Sequence, residues 1–159
     1  MFANVLIVCH ANVCRSPAAE WLFRSRQHER GALPIAFRSA GLRAIDGHGM
    51  DPVMRRLLEE RGVDGGTGGT HRSRRLDRPS VRAADLILVT EQRQVKDVEA
   101  LEPTSRGKVY PLGKWGKWDG QGNGGGADVV DPHGRDEAVY RDSLAHIEHL
   151  VMGWLDKIC

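Results

Sequence analysis

The sequence predicts an α/β fold with three layers, in which a central four-stranded parallel sheet is flanked by helices on both faces. Two observations lead to this fold class. Short apolar runs alternate along the chain with segments that carry helix signals, which is the pattern of βαβ crossovers. The runs also lack a polar face, as expected for strands buried on both sides. Because 159 residues suffice for one core, we expect a single domain spanning residues 1–159.

The four predicted strands are short and mostly apolar, at 5–8, 35–38, 85–89 and 108–112. A predicted helix follows each strand, at about 16–30, 51–62, 91–101 and 136–157. Ser16 at a cap, Pro17 at the first helical position and Glu20 in the first turn indicate where the first helix begins. The last helix carries an apolar stripe that we interpret as core packing, formed by Tyr140, Leu144, Ile147, Val151 and Leu155. Residues 113–127 predict a long functional or mobile loop.

Composition narrows the possible functions. The net charge of +2 gives no general attraction to nucleic acid or membrane surfaces, so we expect neither partner. The chain has three cysteines, an odd number that argues against a disulfide framework and suits a reducing compartment. The apolar run at 5–8 is too short for membrane insertion. It also lacks the preceding basic residue that a signal peptide would have. A cytoplasmic location is the expectation.

Positive charge is nevertheless concentrated in one place. Four arginines fall within seven residues, at Arg72, Arg74, Arg75 and Arg78. Such a run is either a solvated face or a surface that steers an anionic substrate. The sequence leaves both interpretations open.

The segment most able to carry chemistry lies between the first strand and the first helix, at residues 8–17. Ligands of open α/β sheets bind at the carboxyl ends of strands, where loop amides and a helix N-terminus favour an anion. Cys9 stands at that strand end, where the loop donors, the helix dipole, Arg15 and the Ser16 hydroxyl would favour its thiolate, the nucleophilic form. The same donors would bind the non-bridging oxygens of a phosphoryl group.

Arg15 follows the cysteine by six residues, which lets its side chain fold back over the loop. A guanidinium can hold two phosphoryl oxygens at once, which a lysine cannot do as a point charge. The pair therefore predicts both activation of the Cys9 nucleophile and stabilisation of charge on a transferring phosphoryl group. The Cys-x5-Arg spacing is loose by itself, and the flanking strand, the Ser-Pro helix start and Asn12 make it specific.

The whole segment resembles the signature of the low-molecular-weight protein tyrosine phosphatases, Cys-x-x-Asn-x-Cys-Arg-Ser-Pro. The resemblance extends along nearly the whole chain, through Ser39-Ala40-Gly41, His71-x-Ser73-Arg74, the strand at 85–89 and Asp131-Pro132. The Ser39-Ala40-Gly41-Leu42 and Gly113-Lys114-Trp115 segments are most similar to the bacterial branch associated with exopolysaccharide systems. The resemblance implies a sheet with strand order 2-1-3-4. It also implies a protein tyrosine phosphatase that forms a phosphocysteine intermediate and needs no cofactor and no metal.

The resemblance also implies a role for each matching residue. Cys9 would attack phosphorus, Arg15 would hold the equatorial oxygens, and Asp131 would be the general acid. Asp128 and Asp136 are nearby competitors for that acid role. The loop and its supports would bind phosphate or hold the loop in shape, through His10, Ala11, Asn12, Val13, Cys14, Ser16, Ser39 and His71. Ser39 and His71 would hold Asn12 by side-chain hydrogen bonds, and Asn12 would tolerate a left-handed backbone. His71 as an ordinary exposed loop histidine remains an alternative.

Substrate choice should depend on the rim of the pocket, for which motif position suggests Leu42, Arg43 and His133, with His10 and either Trp115 or Trp118 as further candidates. His133 stands where the family usually has an aromatic residue. An imidazole can stack on a phosphotyrosine ring and can change its charge with pH. Selectivity for phosphotyrosine therefore stays open at this position.

Cys14 has two compatible interpretations. It is either an inert buried residue behind the loop or a resolving thiol that forms a disulfide with oxidised Cys9. Cys159 is interpreted as a terminal thiol without a role. The implied partner is a phosphotyrosine protein, such as an autophosphorylated bacterial tyrosine kinase, and the enzyme would be a monomer or a weak dimer.

Three rival functions remain. Arsenate reduction on the same scaffold would relay oxidation through further cysteines, but the chain has none between Cys14 and Cys159. A non-catalytic phosphoprotein-binding module would keep Arg15 but lose the nucleophile or the acid, and both are present here. A metal site built from Cys9, His10 and Cys14 would have poor tetrahedral geometry.

Overall fold

The computed structural model describes residues 2–31, 34–65, 70–115 and 128–159. Its four strands are β1 (Asn4–Cys9), β2 (Ala36–Gly41), β3 (Leu86–Val89) and β4 (Val109–Pro111). They form one parallel sheet in the order β2-β1-β3-β4, which confirms the predicted fold class and strand order. β1 therefore lies inside the sheet, with β2 at one edge.

The helices are α1 (Arg15–Glu29), α2 (Pro52–Glu60), α3 (Arg78–Ala83), α4 (Gln94–Leu101) and α5 (Glu137–Ile158). The sequence did not predict α3, which is only six residues long and continues the arginine-rich segment. Its start is nevertheless encoded, because the Asp77 carboxylate accepts a hydrogen bond of 2.8 Å from the backbone of Ser80 and Pro79 lies in the first turn.

α4 begins at Gln94, three residues later than the predicted start at Glu91. The reason is local. The Gln94 side-chain oxygen accepts hydrogen bonds from the Glu91 backbone at 2.9 Å and the Thr90 hydroxyl at 3.0 Å. These bonds satisfy the polar groups of a turn at 91–93 and place the helix after it.

Two apolar clusters cover the two faces of the sheet, because successive side chains of a strand point to opposite sides. Val5 and Ile7 pack into the cluster that contains residues of α1, α2 and α5. Leu6 and Val8 pack into the other cluster, with residues of α3 and α4. The predicted core stripe on α5 is confirmed, since its members are all buried: Tyr140, Leu144, Ile147, Val151 and Leu155.

Residues 116–127, most of the predicted loop at 113–127, lie outside the described residues, and residues 112–115 form a 3₁₀ turn. Within the described ranges, no helix combines the length and apolar character needed to cross a bilayer.

Candidate active site

The phosphate loop, residues 9–15, connects the end of β1 to the first residue of α1. It lines a cavity of about 190 Å³, together with Asp131 and His133 from a second segment, the acid loop, residues 131–135. The sheet thus brings together, at the carboxyl end of an inner strand, residues more than 110 positions apart in the chain.

The Cys9 sulfur is buried and faces hydrogen-bond donors. The Ser16 Oγ lies 2.9 Å from the Cys9 Sγ, and the Asn12 backbone N–H donates to the Cys9 Sγ at 3.3 Å. The Asn12 side-chain amide also donates to Ser16 Oγ at 2.8 Å, so this oxygen is an acceptor there. The Ser16 proton can point at the sulfur, 2.9 Å away, or at the more distant Ala40 carbonyl, 3.5 Å away. Ser16 is therefore oriented as a donor to a thiolate.

This orientation corrects the predicted role of Ser16 as a helix cap. α1 begins one residue earlier, at Arg15, and its N-cap residue Cys14 makes no side-chain capping bond. The Ser16 hydroxyl lies in the first turn and contacts Cys9 and Asn12 instead of backbone amides.

Asn12 determines the shape of the loop. It is the one non-glycine residue with a positive φ in the described part of the chain, at 58°, which is the left-handed conformation expected from the sequence. Its side-chain amide donates to Ser39 Oγ at 2.9 Å, and its Oδ1 accepts from the Arg74 backbone at 2.9 Å. The predicted contact between Asn12 and Ser39 is therefore confirmed.

The predicted hydrogen bond from the His71 side chain to Asn12 is also confirmed. The His71 Nε2 lies 2.7 Å from the backbone carbonyl oxygen of Asn12, not from the side chain. Because a carbonyl only accepts, Nε2 carries the proton. Burial lowers the pKa of His71, which favours the neutral ring that this single hydrogen bond requires. His71 is buried, which excludes the alternative of an exposed loop histidine.

Glu20 extends this support, and sequence reasoning missed its function. The Ser39 hydroxyl donates to Glu20 Oε1 at 2.5 Å, and the other carboxylate oxygen pairs with Arg24 at 2.8 Å. Glu20 was expected only as an acid in the first turn of the helix. It is a buried acceptor that orients Ser39 toward Asn12. Glu20 lies on α1 and Ser39 on β2, so the contact joins two elements of the fold.

Arg15 is fixed before any substrate arrives. Its side chain is only 3% exposed, and Nη1 donates to Glu91 Oε2 at 2.7 Å and to the Val129 carbonyl at 2.9 Å. Nη2 lies 3.9 Å from Asp131 Oδ2. Although burial opposes the charged form, hydrogen bonds from Arg15 and Arg93 hold the pKa of Glu91 below its usual range. Glu91 is thus a permanent anionic partner for the guanidinium.

Sequence reasoning also missed Glu91, although a signal was present. The residue follows the third predicted strand, and the carboxyl ends of parallel strands meet at one edge of the sheet. An acid placed just beyond that strand lies near anything that follows the first strand, including Arg15.

The acid loop makes fewer contacts at its catalytic side chain than the phosphate loop does at Arg15. The Asp131 side chain is 52% exposed, and its Oδ1 accepts a hydrogen bond of 3.1 Å from the backbone of His133. Asp128, one of its two competitors, accepts instead from the backbone of Gln92 at 2.7 Å. Asp136, the other competitor, is the N-cap residue of α5. Of the three acids, only Asp131 lines the cavity.

His133 is tied down at its ring. Its Nδ1 lies 2.9 Å from Asp51 Oδ2, which also accepts a 2.7 Å hydrogen bond from the Tyr140 hydroxyl. Asp51 is also the N-cap of α2 and accepts from Val53 and Met54. Burial opposes ionisation of Asp51, but the bonds from Tyr140 and His133 outweigh it and lower its pKa. Burial and the Asp51 carboxylate raise the pKa of Tyr140 to about 12.

The predicted rim is only partly brought to the cavity. His10 and His133 line it, whereas Leu42 and Arg43 do not. Their backbone amides donate to the carbonyls of Cys9 and His10, at 2.9 and 2.8 Å, and the Leu42 side chain packs against the second apolar cluster. Gly41 permits this close approach, because a Cβ there would meet the His10 carbonyl at 2.7 Å.

Trp115, one of the two tryptophan candidates, does not line the cavity. Trp115 packs edge-on against Trp154 on α5, and Trp118 lies outside the described residues. Neither residue is therefore placed at the rim.

Cys14 is buried in the first apolar cluster and, like Cys9, is a free thiol. Burial, together with the nearby carboxylates of Asp51 and Asp131, raises the pKa of the Cys14 thiol far above its usual range. Cys14 therefore stays protonated, which suits an inert residue as long as Cys9 is reduced.

Comparison with known proteins agrees with this geometry. Residues 4–159 match the model of the low molecular weight phosphotyrosine protein phosphatase family. The chain belongs to this family. A probable low molecular weight protein-tyrosine-phosphatase, EpsP of Ralstonia solanacearum, is 32% identical to it over 159 residues, covering 99% of this chain and 97% of the relative. The resemblance inferred from the sequence is thereby confirmed.

Solved structures give the same result for the fold. The crystal structure of the Erwinia amylovora tyrosine phosphatase AmsI matches with a TM-score of 0.84 at 27% identity, covering 99% of this chain and 93% of that one. A YwlE arginine phosphatase with a phosphorylated active-site serine matches with a TM-score of 0.83, also at 27% identity. The match covers 98% of this chain and 95% of that one. The family's scaffold thus includes a protein named for a different phosphorylated residue.

Proposed function

We propose that this chain hydrolyses phosphotyrosine through a phosphocysteine intermediate. The observation that carries the proposal is the arrangement of three groups around one cavity. The Cys9 sulfur faces hydrogen-bond donors, the buried Arg15 guanidinium is held beside it, and Asp131 lies at the exposed side of the same cavity. These are a nucleophile, an anion clamp and a proton donor in reach of one bound phosphate ester.

In the first step, the Cys9 thiolate attacks phosphorus in line as the bond to the tyrosine oxygen breaks. Asp131 gives its proton to the leaving phenolate. The loop amides of residues 10–15 and the Arg15 guanidinium stabilise the charge on the equatorial oxygens. Holding Arg15 on Glu91 and the Val129 carbonyl lowers the cost of ordering this clamp when substrate binds.

In the second step, the Asp131 carboxylate accepts a proton from water, which attacks phosphorus and releases inorganic phosphate. Sulfur is the leaving group, and we propose that the Ser16 hydroxyl donates to it as it leaves. The proton on Ser16 is available because the Asn12 amide already donates to that oxygen. Asn12, Ser39 and His71 act by keeping the loop amides pointed at the phosphate.

At the rim, we propose that His133 and His10 contact the tyrosine ring, with Leu42 and Arg43 placed further out. The ring of His133 is held by Asp51, so it forms a fixed wall instead of a free stacking partner. The Val13 side chain, partly buried, lines the same cavity and supplies an apolar contact.

The proposed physiological substrate is an autophosphorylated bacterial tyrosine kinase of exopolysaccharide synthesis, and the proposed location is the cytoplasm. Support comes from the resemblance to the exopolysaccharide branch and from the three free cysteines. We also propose that residues 1–159 act as one domain. The ion pairs of Arg26 with Glu148 and of Arg30 with Asp156 join α5 back to α1, the helix that begins at the phosphate loop.

The test compares turnover of para-nitrophenyl phosphate and of matched phosphotyrosine, phosphoserine and phosphoarginine peptides by the wild type and by Cys9→Ser. We expect the phosphotyrosine peptide to be the best peptide substrate and Cys9→Ser to lose turnover. Cys159→Ser, which removes an exposed thiol far along the chain, is the matched control and should keep full activity.

Binding of phosphotyrosine without turnover in the wild type would instead identify a binding module. Preference for the phosphoarginine peptide would instead indicate an arginine phosphatase, the activity for which the YwlE structure is named. Reduction of arsenate with thioredoxin as the electron donor would favour the arsenate reductase alternative. Incubating the Cys9→Ser variant with phosphotyrosine proteins from the cell would identify the partner.

A further inference from the structure

A second pocket, the rear pocket, opens at the edge of the sheet beside β2. It has a volume of about 370 Å³, and its walls include Glu20, Arg24, Arg38, Ser39, His71, Arg72 and Arg74. Asn12 separates it from the catalytic cavity. This residue lines the catalytic cavity and hydrogen-bonds to Ser39, His71 and the Arg74 backbone, all of which belong to the rear pocket.

The rear pocket carries an excess of positive charge. Among the described residues that line it, Glu20 is the only carboxylate, and it pairs with Arg24 at 2.8 Å. Within the described part of the chain, the side chains of Arg38, Arg72 and Arg74 form no ion pair. Four arginines and one glutamate give the lining a net charge of about +3, which raises the local potential for an anion. Arg74 also interacts with Asp77 at longer range, and Arg38 and Arg74 border a neighbouring cavity as well.

This pattern differs from that of the arginines on and next to the helices α1, α2 and α5. Arginines on these helices or directly after them form ion pairs with carboxylates. Examples are Arg30, Arg55, Arg56, Arg61 and Arg141. Arg43, Arg75 and Arg78 lie outside the rear pocket and also form no ion pair with a described residue, so the absence of a partner does not by itself mark a site; the grouping around one cavity does. Three arginines that converge on a cavity without such partners, beside a buried hydrogen-bonded network, have the composition of a binding site.

Hydrogen bonds hold the backbone of the segment that carries two of these arginines. Gly41 at the end of β2 donates to the Arg74 carbonyl at 2.9 Å, and the Ser73 backbone donates to the His48 carbonyl at 2.7 Å. The Ser73 hydroxyl donates to the Ile45 carbonyl at 2.5 Å. The segment that carries Arg72 and Arg74 is therefore attached to the loop after β2, while Arg38 comes from β2 itself.

We propose that the rear pocket is a second anion-binding site that takes a small polyphosphate. Several guanidinium groups placed around one cavity can each donate paired hydrogen bonds to phosphate oxygens. A lining with a net charge of about +3 matches an anion that carries about three negative charges better than a single phosphate monoester. This site is distinct from the catalytic cavity, whose guanidinium is that of Arg15, and it gives the arginine-rich segment noticed in the sequence a function.

The test is titration calorimetry of the full-length protein with pyrophosphate. We expect the wild type to show two binding events, one in each pocket. Cys9→Asp places a carboxylate among the donors of the phosphate loop, so it should remove the catalytic event and leave the rear event. Thermal melting of Cys9→Asp establishes that it is folded, and added pyrophosphate should raise its melting temperature.

The double variant Arg38→Gln/Arg72→Gln should weaken the rear event by at least about 100-fold, because two charge-assisted contacts are lost. Arg55→Gln/Arg106→Gln removes the same charge from exposed positions away from the pocket and is the matched control. It should change the rear affinity by less than about threefold in 0.15 M salt.

Three results would overturn the proposal. The first is a single event in the wild type that Cys9→Asp abolishes. The second is an equal loss of affinity in both double variants, which would indicate a general charge effect. The third is an unchanged rear event in Arg38→Gln/Arg72→Gln. Because binding is measured without turnover, failure here is distinguishable from failure of the proposed phosphatase activity.

Discussion

The two halves of the catalytic cavity are built in opposite ways. In the phosphate loop, Asn12 is fully buried and Arg15 is 3% exposed, and each has partners from other elements of the fold. In the acid loop, the side chains of Asp131 and His133 are 52% and 65% exposed. Anion binding is thus assigned to a locked segment and proton transfer to an open one.

The difference follows from what each half must do. Donors that stabilise charge on a phosphoryl group are most effective when they need no rearrangement during the reaction. A proton donor to the leaving group must instead lie where the substrate enters, because the phenol departs through that opening. Substitutions in the phosphate loop, the locked half, should therefore lower the stability of the fold. Substitutions in the acid loop, the open half, should mainly lower the activity.

The largest expected effect tests the open half. Asp131→Asn should lower kcat for phenyl phosphate by about 10²–10⁴-fold, because the poor leaving group loses its proton donor. The loss should be smaller for para-nitrophenyl phosphate, whose phenolate leaves more easily. Stability in urea should hardly change, since the side chain is largely exposed.

Asp128→Asn is the control for this substitution. Asp128 is an exposed acid three residues earlier, and it accepts a backbone hydrogen bond from Gln92 without lining the cavity. Equal losses in the two variants, or wild-type rates in Asp131→Asn on both substrates, would remove Asp131 from the role of acid.

The next effect tests the locked half at Asn12. Asn12→Gly keeps access to the φ of 58° but loses the side-chain bonds to Ser39 and Ser16. Asn12→Ala loses the same bonds and adds the strain of a left-handed alanine. The alanine variant should therefore be less stable than the glycine variant by about 1 kcal/mol, a reversal of the usual order of these residues in helices and strands.

Both Asn12 variants should lose about tenfold or more in kcat/KM, since the loop amides lose their fixed positions. Urea unfolding and turnover of para-nitrophenyl phosphate measure the two effects. Asn4→Ala, at an exposed position where β1 begins, is the control. An alanine variant as stable as the glycine variant would contradict the view that the loop backbone is held in an unfavourable conformation.

The sequence predicted the locked half far better than the open half, for a physical reason. The strand, the loop and the helix start are contiguous, so local propensity and spacing place Cys9 and Arg15 relative to each other. The partners that fix them come from elsewhere. Glu91 lies 76 positions from Arg15, and Asp51 lies 82 positions from His133. Contacts of that kind depend on how helices pack, which no local pattern encodes.

The local errors have a related cause. Ser16 was expected to cap a helix because serine commonly does so, but here the nearby Cys9 and Asn12 use its hydroxyl. The helix Arg78–Ala83 is so short that its capping aspartate and Pro79 were the only usable signals. At Ser16, tertiary contacts outweighed the preference of serine for a capping position. At Arg78–Ala83, the segment was too short for helix propensity to predict it.

The smallest expected effect on activity tests the bond between the acid loop and Asp51. Asp51→Asn keeps an oxygen that can cap α2, but it replaces a charged acceptor for Tyr140 and His133 by a neutral amide. The variant should lose about 1–3 kcal/mol of unfolding free energy near neutral pH, since bonds to a buried charge are lost. Its kcat should fall by a few fold, because the acid loop loses the bond at His133.

The pH dependence identifies the carboxylate as the cause. The pKa of Asp51 is lowered in the folded protein, so its contribution to stability is fully present above roughly pH 4 and is lost as pH falls through the folded pKa. Urea unfolding of wild type and Asp51→Asn should therefore differ at pH 7 and converge toward pH 3. Asp77→Asn, which changes an exposed cap on α3 to an equally good one, should change stability little at either pH. A gap between wild type and Asp51→Asn that persists unchanged at pH 3 would mean that shape, not charge, ties the acid loop to α2.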